Sequence, residues 1–145
     1  MRPILLTICL LAATGCDENA PTGPTVPING QFTLAPQETA VIQGTGRRVQ
    51  FMRVAGDSRC PADAICIWIG DATVMLRVFD GSGASDYELH TIEAPRGSIV
   101  HDDMRVTLVQ LQPYPYSNRT IQPSDYRATL EVRQLDVLKG LSPSE

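Results

Sequence analysis

Three stretches of this chain alternate apolar and polar residues with a period of two. Val74, Leu76 and Val78 alternate with Thr73, Met75 and Arg77, and Met104, Val106 and Leu108 alternate with Arg105, Thr107 and Val109. The cleanest case is Tyr126, Ala128, Leu130 and Val132 against Arg127, Thr129, Glu131 and Arg133. Alternation of this kind puts successive side chains on opposite faces of an extended chain, so each stretch predicts a half-buried β-strand. Weaker patterns predict further strands at 30–34, 39–42, 49–54, 85–91 and 98–101. Turn residues separate them: Gly44-Thr45-Gly46, Asp80-Gly81-Ser82-Gly83, Pro95-Arg96-Gly97 and the proline-rich stretch 113–123. No segment sustains a helical period. The pattern predicts an all-β domain, an antiparallel β-sandwich of the immunoglobulin-like or Greek-key kind with about seven or eight strands. A small barrel is the alternative.

The chain has 145 residues, enough for one domain with a modest core. The pattern places that domain at 30–135. Before it, 16–29 holds three prolines and few large apolar residues and predicts an extended tether. After it, 136–145 predicts a loose tail. A formal net charge of −4 argues against nucleic acid as a partner, because phosphate neutralisation needs a basic face. Two histidines and four cysteines leave little material for metal clusters.

The first fifteen residues carry an address rather than a fold. Arg2 is followed by the ten apolar-rich residues 4–13. A membrane-spanning helix needs about 20, so 1–15 predicts a cleaved signal peptide. Ala13-Thr14-Gly15-Cys16 then resembles a bacterial lipobox. That resemblance implies cleavage before Cys16, diacylglycerol on its thiol and acylation of the new amino terminus. It further implies anchoring to the inner or outer membrane, with the domain in the periplasm or at the cell surface. The plainer alternative is a secretory signal followed by an incidental cysteine.

Export places the remaining cysteines in an oxidising compartment. With Cys9 in the leader and Cys16 acylated, Cys60 and Cys66 are the available pair, and a bridge between them would stabilise by about 2 kcal/mol. Their spacing is not C-x-x-C, which disfavours a redox pair, and no neighbouring histidine completes a metal site. Cys66, Trp68, Gly70, Ala72, Val74, Leu76 and Val78 share one parity. An uninterrupted strand would therefore bury Trp68 in the core beside the bridge, unless Gly70 marks a bulge. The run Asp57-Ser58-Arg59-Cys60-Pro61, followed by Cys66-Ile67-Trp68-Ile69-Gly70, resembles a pattern found in bacterial lipoproteins and secreted proteins of no assigned activity. A weaker echo lies in Pro113-Tyr114-Pro115 and Tyr126-Arg127-Ala128-Thr129-Leu130. The resemblance implies an envelope protein and no particular chemistry.

The remaining candidates each have a bland and a sharper reading. Tyr126 opens a strand and resembles a tyrosine corner, in which the hydroxyl ties back to an upstream backbone group. Tyr114 and Tyr116, set between prolines, form either a rigid crossover loop with a cis bond before Pro115 or a surface for a sugar or peptide. His101-Asp102-Asp103 with His90 is the one constellation with metal-ligand chemistry, but adjacent strand residues point to opposite faces and a polar turn has the same composition. Neither a G-x-S-x-G elbow nor a phosphate-binding loop occurs. The expectation is a protein with no catalytic residue, metal or cofactor: a lipid-anchored interaction or structural module. Its partners would be the membrane, through lipid on Cys16, and an envelope protein or glycan. A small inhibitor or a glycan- or peptide-binding lipoprotein is the alternative, and a hydrolase or metal-dependent enzyme is weaker.

Overall fold

A computed structural model describes residues 23–92 and 97–136. The leader, Cys16, the expected tail beyond 136 and the Pro95-Arg96 part of one expected turn lie outside the described residues. The described residues form nine strands: β1 (Thr25–Val26), β2 (Gln31–Leu34), β3 (Thr39–Ile42), β4 (Arg47–Asp57), β5 (Ala72–Asp80), β6 (Gly83–His90), β7 (Ser98–His101), β8 (Met104–Gln112) and β9 (Arg127–Gln134). They form two sheets, ordered β1-β3-β4-β5-β6 and β2-β9-β8-β7. All pairings are antiparallel except that of β1 with β3. The molecule is a β-sandwich and the sheets do not close into a barrel.

The alternating residues do what their period requires. Val74, Leu76 and Val78 of β5 and Val49 and Phe51 of β4 face Phe32, Leu34, Val106, Leu130 and Val132 of the second sheet, and all are buried. Bulges adjust the register where a plain alternation would fail. In β8 the pairing with β9 slips between Leu108 and Gln110, so Leu111 rather than Gln110 turns inward. In β4 two slips bracket Met52 and Ala55, after which Asp57 stands opposite Ala72. Directly opposed residues share a face. Ala72 is fully buried, so Asp57 is aimed at the rim of the core.

The tether is shorter than the sequence predicts. Thr25–Val26 form a parallel edge strand on β3, with Gly23 N–H donating to Thr39 O at 3.0 Å and Val41 N–H to Pro24 O at 2.9 Å. Val26 is buried and Ile28 packs on the core. Two apolar residues among prolines are enough because the free edge of β3 offers unpaired backbone groups.

Strand directions sort the connections. Tight turns at 43–46, 81–82 and 102–103 lie at one end of the sandwich. At the other end lie the two fourteen-residue connections, 58–71 between β4 and β5 and 113–126 between β8 and β9, together with the link from β6 to β7.

Candidate functional site

The long-loop end is built on a buried ion pair. Arg59 follows Asp57 by two residues, and their side chains are only 6% and 11% exposed. The guanidinium grips the carboxylate with two bonds, Nε–H to Oδ1 at 2.8 Å and Nη2–H to Oδ2 at 2.6 Å. Its remaining donors cross to the second sheet, Nη1–H to Leu111 O at 2.7 Å and Nη2–H to Pro113 O at 2.9 Å. The Tyr114 ring lies against the guanidinium, 5.2 Å from centroid to carbon. Tyr126 donates its hydroxyl to Asp57 Oδ2 at 3.1 Å. One arginine thus ties the end of β4 to the end of β8 and fixes the base of both long loops. Such a planar, five-donor group suits this bridge where a lysine would not.

The electrostatics follow the geometry. Burial raises the Asp57 pKa, but the hydrogen bonds and charge of Arg59, with the Tyr126 hydroxyl, outweigh it and hold the carboxyl below its ordinary range. Burial, then the adjacent Asp57 carboxylate, push the Tyr126 phenol up to about 12. Tyr126 is buried as the sequence predicts. Its described partner is a side-chain carboxylate in the opposite sheet, which corrects the expected tyrosine corner: the bulged β4 delivers Asp57 to the rim, and a charged acceptor there takes the phenol.

From this base the 58–71 loop projects. Cys60 and Cys66 are bridged, with Cα atoms 5.9 Å apart. Cys60 N–H donates to Ile69 O at 3.1 Å, Ala62 N–H donates to Pro115 O at 2.9 Å, and Asp63 accepts from the Ser117 N–H at 2.8 Å and its hydroxyl at 3.0 Å. These bonds brace the loop against its 113–126 neighbour. Gly70 turns the chain back toward β5 with φ of +72°, and a Cβ there would stand 1.9 Å from Ser58 O. Only glycine fits such a position.

Trp68 overturns the expectation that it fills the core. It is 81% exposed, together with Ile65 at 104%, Ile67 at 93% and Ile69 at 81%. Strand pairing starts at Asp57 opposite Ala72, so the parity that points Ala72, Val74, Leu76 and Val78 inward does not extend back across the left-handed turn at Gly70. The sequence carried a signal for this. Ile65, Ile67 and Ile69 flank Cys66 and Trp68 without any polar alternation, which a half-buried strand would show. The outcome is an apolar tip on a disulfide-closed loop, beside the partly exposed Ile92.

Tyr114 and Tyr116 reach the same end, 43% and 50% exposed, but Tyr114 is already engaged by Arg59. The cis bond of this stretch precedes Pro113 and not Pro115. The two histidines do not meet, because β6 ends at the long-loop end and β7 at the other. His90 Nδ1 is 2.5 Å from Asp71 Oδ2. His101 is buried, its Nδ1 bonded with the Tyr87 hydroxyl at 2.7 Å and its Nε2 with Asp80 Oδ2 at 2.8 Å. Asp80, His101 and Asp102 do cluster within 4.8 Å of one another. Both imidazole nitrogens are engaged, Asp102 pairs with Arg47 at 3.3 Å, and Asp80 accepts from the Ser82 N–H and hydroxyl and from the Gly83 N–H. The trio acts as a clasp between the sheets.

Compared with known protein families, with curated proteins and with solved structures, the chain matches none.

Proposed function

We propose that this chain is a lipid-anchored protein of the bacterial cell envelope, held by acyl chains on Cys16, whose sandwich serves as a non-enzymatic interaction module. Its contact surface is the long-loop end, with Ile65, Ile67, Trp68 and Ile69 at its centre. The observation that carries this reading is the tip itself: four large apolar side chains in water on a braced, cross-linked loop. Soluble proteins seldom leave such a cluster uncovered, and it marks a binding surface. Pre-organisation by the disulfide lowers the entropy lost on binding. Ionisable groups around the tip support the same reading as structural ties: Asp57 pairs with Arg59, Asp63 accepts from Ser117 and Asp71 pairs with His90.

Two measurements test it. Intact mass of the mature chain should correspond to a start at Cys16 plus diacylglycerol; an unmodified chain would refute the anchor. In the native envelope, a photo-crosslinking residue at Ile67 should give adducts, and one at the exposed Arg105 should give none. Equal labelling at the two positions would refute the assigned surface. The glycan- or peptide-binding alternative draws on Tyr116, half exposed at the same end. It predicts that Tyr116→Ala abolishes adducts that Ile69→Ser leaves intact.

A further inference from the structure

Where the chain enters the fold bears on what covers the apolar tip. β1 runs parallel to β3 and β3 antiparallel to β4. Since β4 ends at the tip loop, the chain enters β1 from the tip end of the sandwich. Gly23 sits level with Thr39, to whose carbonyl it donates, and Thr39 stands opposite Gln50. From Gln50 to Asp57 is seven residues of strand, about 23 Å before shortening by the two bulges. Seven peptide units also separate Cys16 from Gly23, and they can span at most about 25 Å. The anchor can therefore come level with the end of β4, where the tip loop begins, and β1 is entered from that same end.

The chemistry of the tip matches the medium so reached. Residues 60–70 contain Asp63 and no lysine or arginine, so the tip itself offers anionic headgroups no cation. What is offered is three exposed isoleucines and a tryptophan, with Ile67, Trp68 and Ile69 lining a shallow, open hollow beside Ile92. Tryptophan prefers the boundary between headgroups and acyl chains, and a deformable bilayer conforms to an open apolar surface without a shape-matched partner. We propose that the tip at 65–69 inserts shallowly into the same bilayer that carries the acyl chains of Cys16. The acyl chains then act as a tether and the tip as a second contact that orients the sandwich with its long-loop end against the membrane. This rests on the lipid-anchor reading.

Trp68 is the single tryptophan of the chain, which makes the test direct. The full mature lipoprotein is reconstituted into phosphatidylcholine vesicles, plain or brominated along the acyl chains. Trp68 emission should be quenched in the brominated vesicles, and Ile67→Ser with Ile69→Ser should abolish the quenching while the protein stays vesicle-bound. These two side chains are solvent-exposed, so circular dichroism should show an unchanged fold. With the mature chain, starting at residue 16 and carrying Cys16→Ser, added to plain vesicles, each isoleucine replaced should weaken partitioning by at least ~10-fold. Raised salt should leave that partitioning unchanged. Unquenched Trp68 on a diacylated chain would overturn the tip assignment and leave the anchor standing. Absence of diacylglycerol on Cys16 would overturn the anchor, and with it the shared bilayer. Emission that shifts with protein concentration in lipid-free buffer would assign the tip to a second copy of the chain and overturn insertion.

Discussion

Replacing Arg59 by alanine should be among the most damaging single changes in the domain, although the residue sits at the mouth of a loop. Its side chain is 6% exposed and makes four side-chain hydrogen bonds, two to Asp57 and one each to Leu111 O and Pro113 O. Removal leaves a nearly buried carboxylate with only the position-59 N–H and the Tyr126 hydroxyl, and strips two carbonyls of their partner. Breaking a buried pair from one side costs about 3–5 kcal/mol, because the remaining charge is left uncompensated. For a domain of this size the melting temperature should fall by about 10–20 °C, followed by circular dichroism because exposed Trp68 reports poorly on the core. Arg59→Lys should recover little, since a lysine cannot hold the carboxylate with two bonds and also reach both carbonyls. A double-mutant cycle with Asp57→Ala should give a coupling of about 1–3 kcal/mol. A loss below about 1 kcal/mol for Arg59→Ala, or no coupling, would refute the view that this pair holds the two sheets together at the tip end.

Reduction of the Cys60–Cys66 bridge with excess thiol, or Cys60→Ser compared with the parent in an oxidising buffer, should cost about 2 kcal/mol and lower the melting temperature by about 5–10 °C. Gly70→Ala should cost at least about 2 kcal/mol, because a Cβ at 1.9 Å from Ser58 O adds a clash to an unfavourable positive φ. Gly46→Ala, with φ of +67° and open space around it, should cost only about 1 kcal/mol; equal losses at both sites in urea titrations would discount the clash. The Asp57 and Asp80 carboxyls are both held below their ordinary range, Asp57 by Arg59 against the opposing effect of burial and Asp80 chiefly by Ser82. Each therefore contributes stability that is complete above about pH 4 and is lost as pH falls through its folded-state value. Unfolding midpoints should drop steadily below pH 4, and Asp57→Asn should flatten part of that slope.

Several features were legible before any coordinates. The alternations around Val74, Val106 and Leu130 place β5, β8 and β9, and the clusters at 44–46, 80–83 and 113–123 place turns. The pairing of Cys60 with Cys66 also holds. Other features were not. The 25–26 edge strand carries too few residues to show a period, and its pairing depends on a free edge supplied by β3. The parity rule failed at Trp68 because it presumes one continuous strand, and the left-handed turn at Gly70 breaks that continuity.

By itself the sequence determined what depends on neighbours along the chain: which residues lie in extended segments, which face of each is apolar, and where the chain can turn. Hydrophobic period and turn chemistry are local, so they survive without knowledge of the fold. Only the tertiary structure decided what Arg59 and Trp68 do. Arg59 is buried because carbonyls at 111 and 113, more than fifty residues away, meet it across the sandwich. Trp68 is exposed because, among the described residues, no element of the opposite sheet extends over the loop that carries it. Burial is set by what arrives from elsewhere in the chain, and no local pattern encodes that.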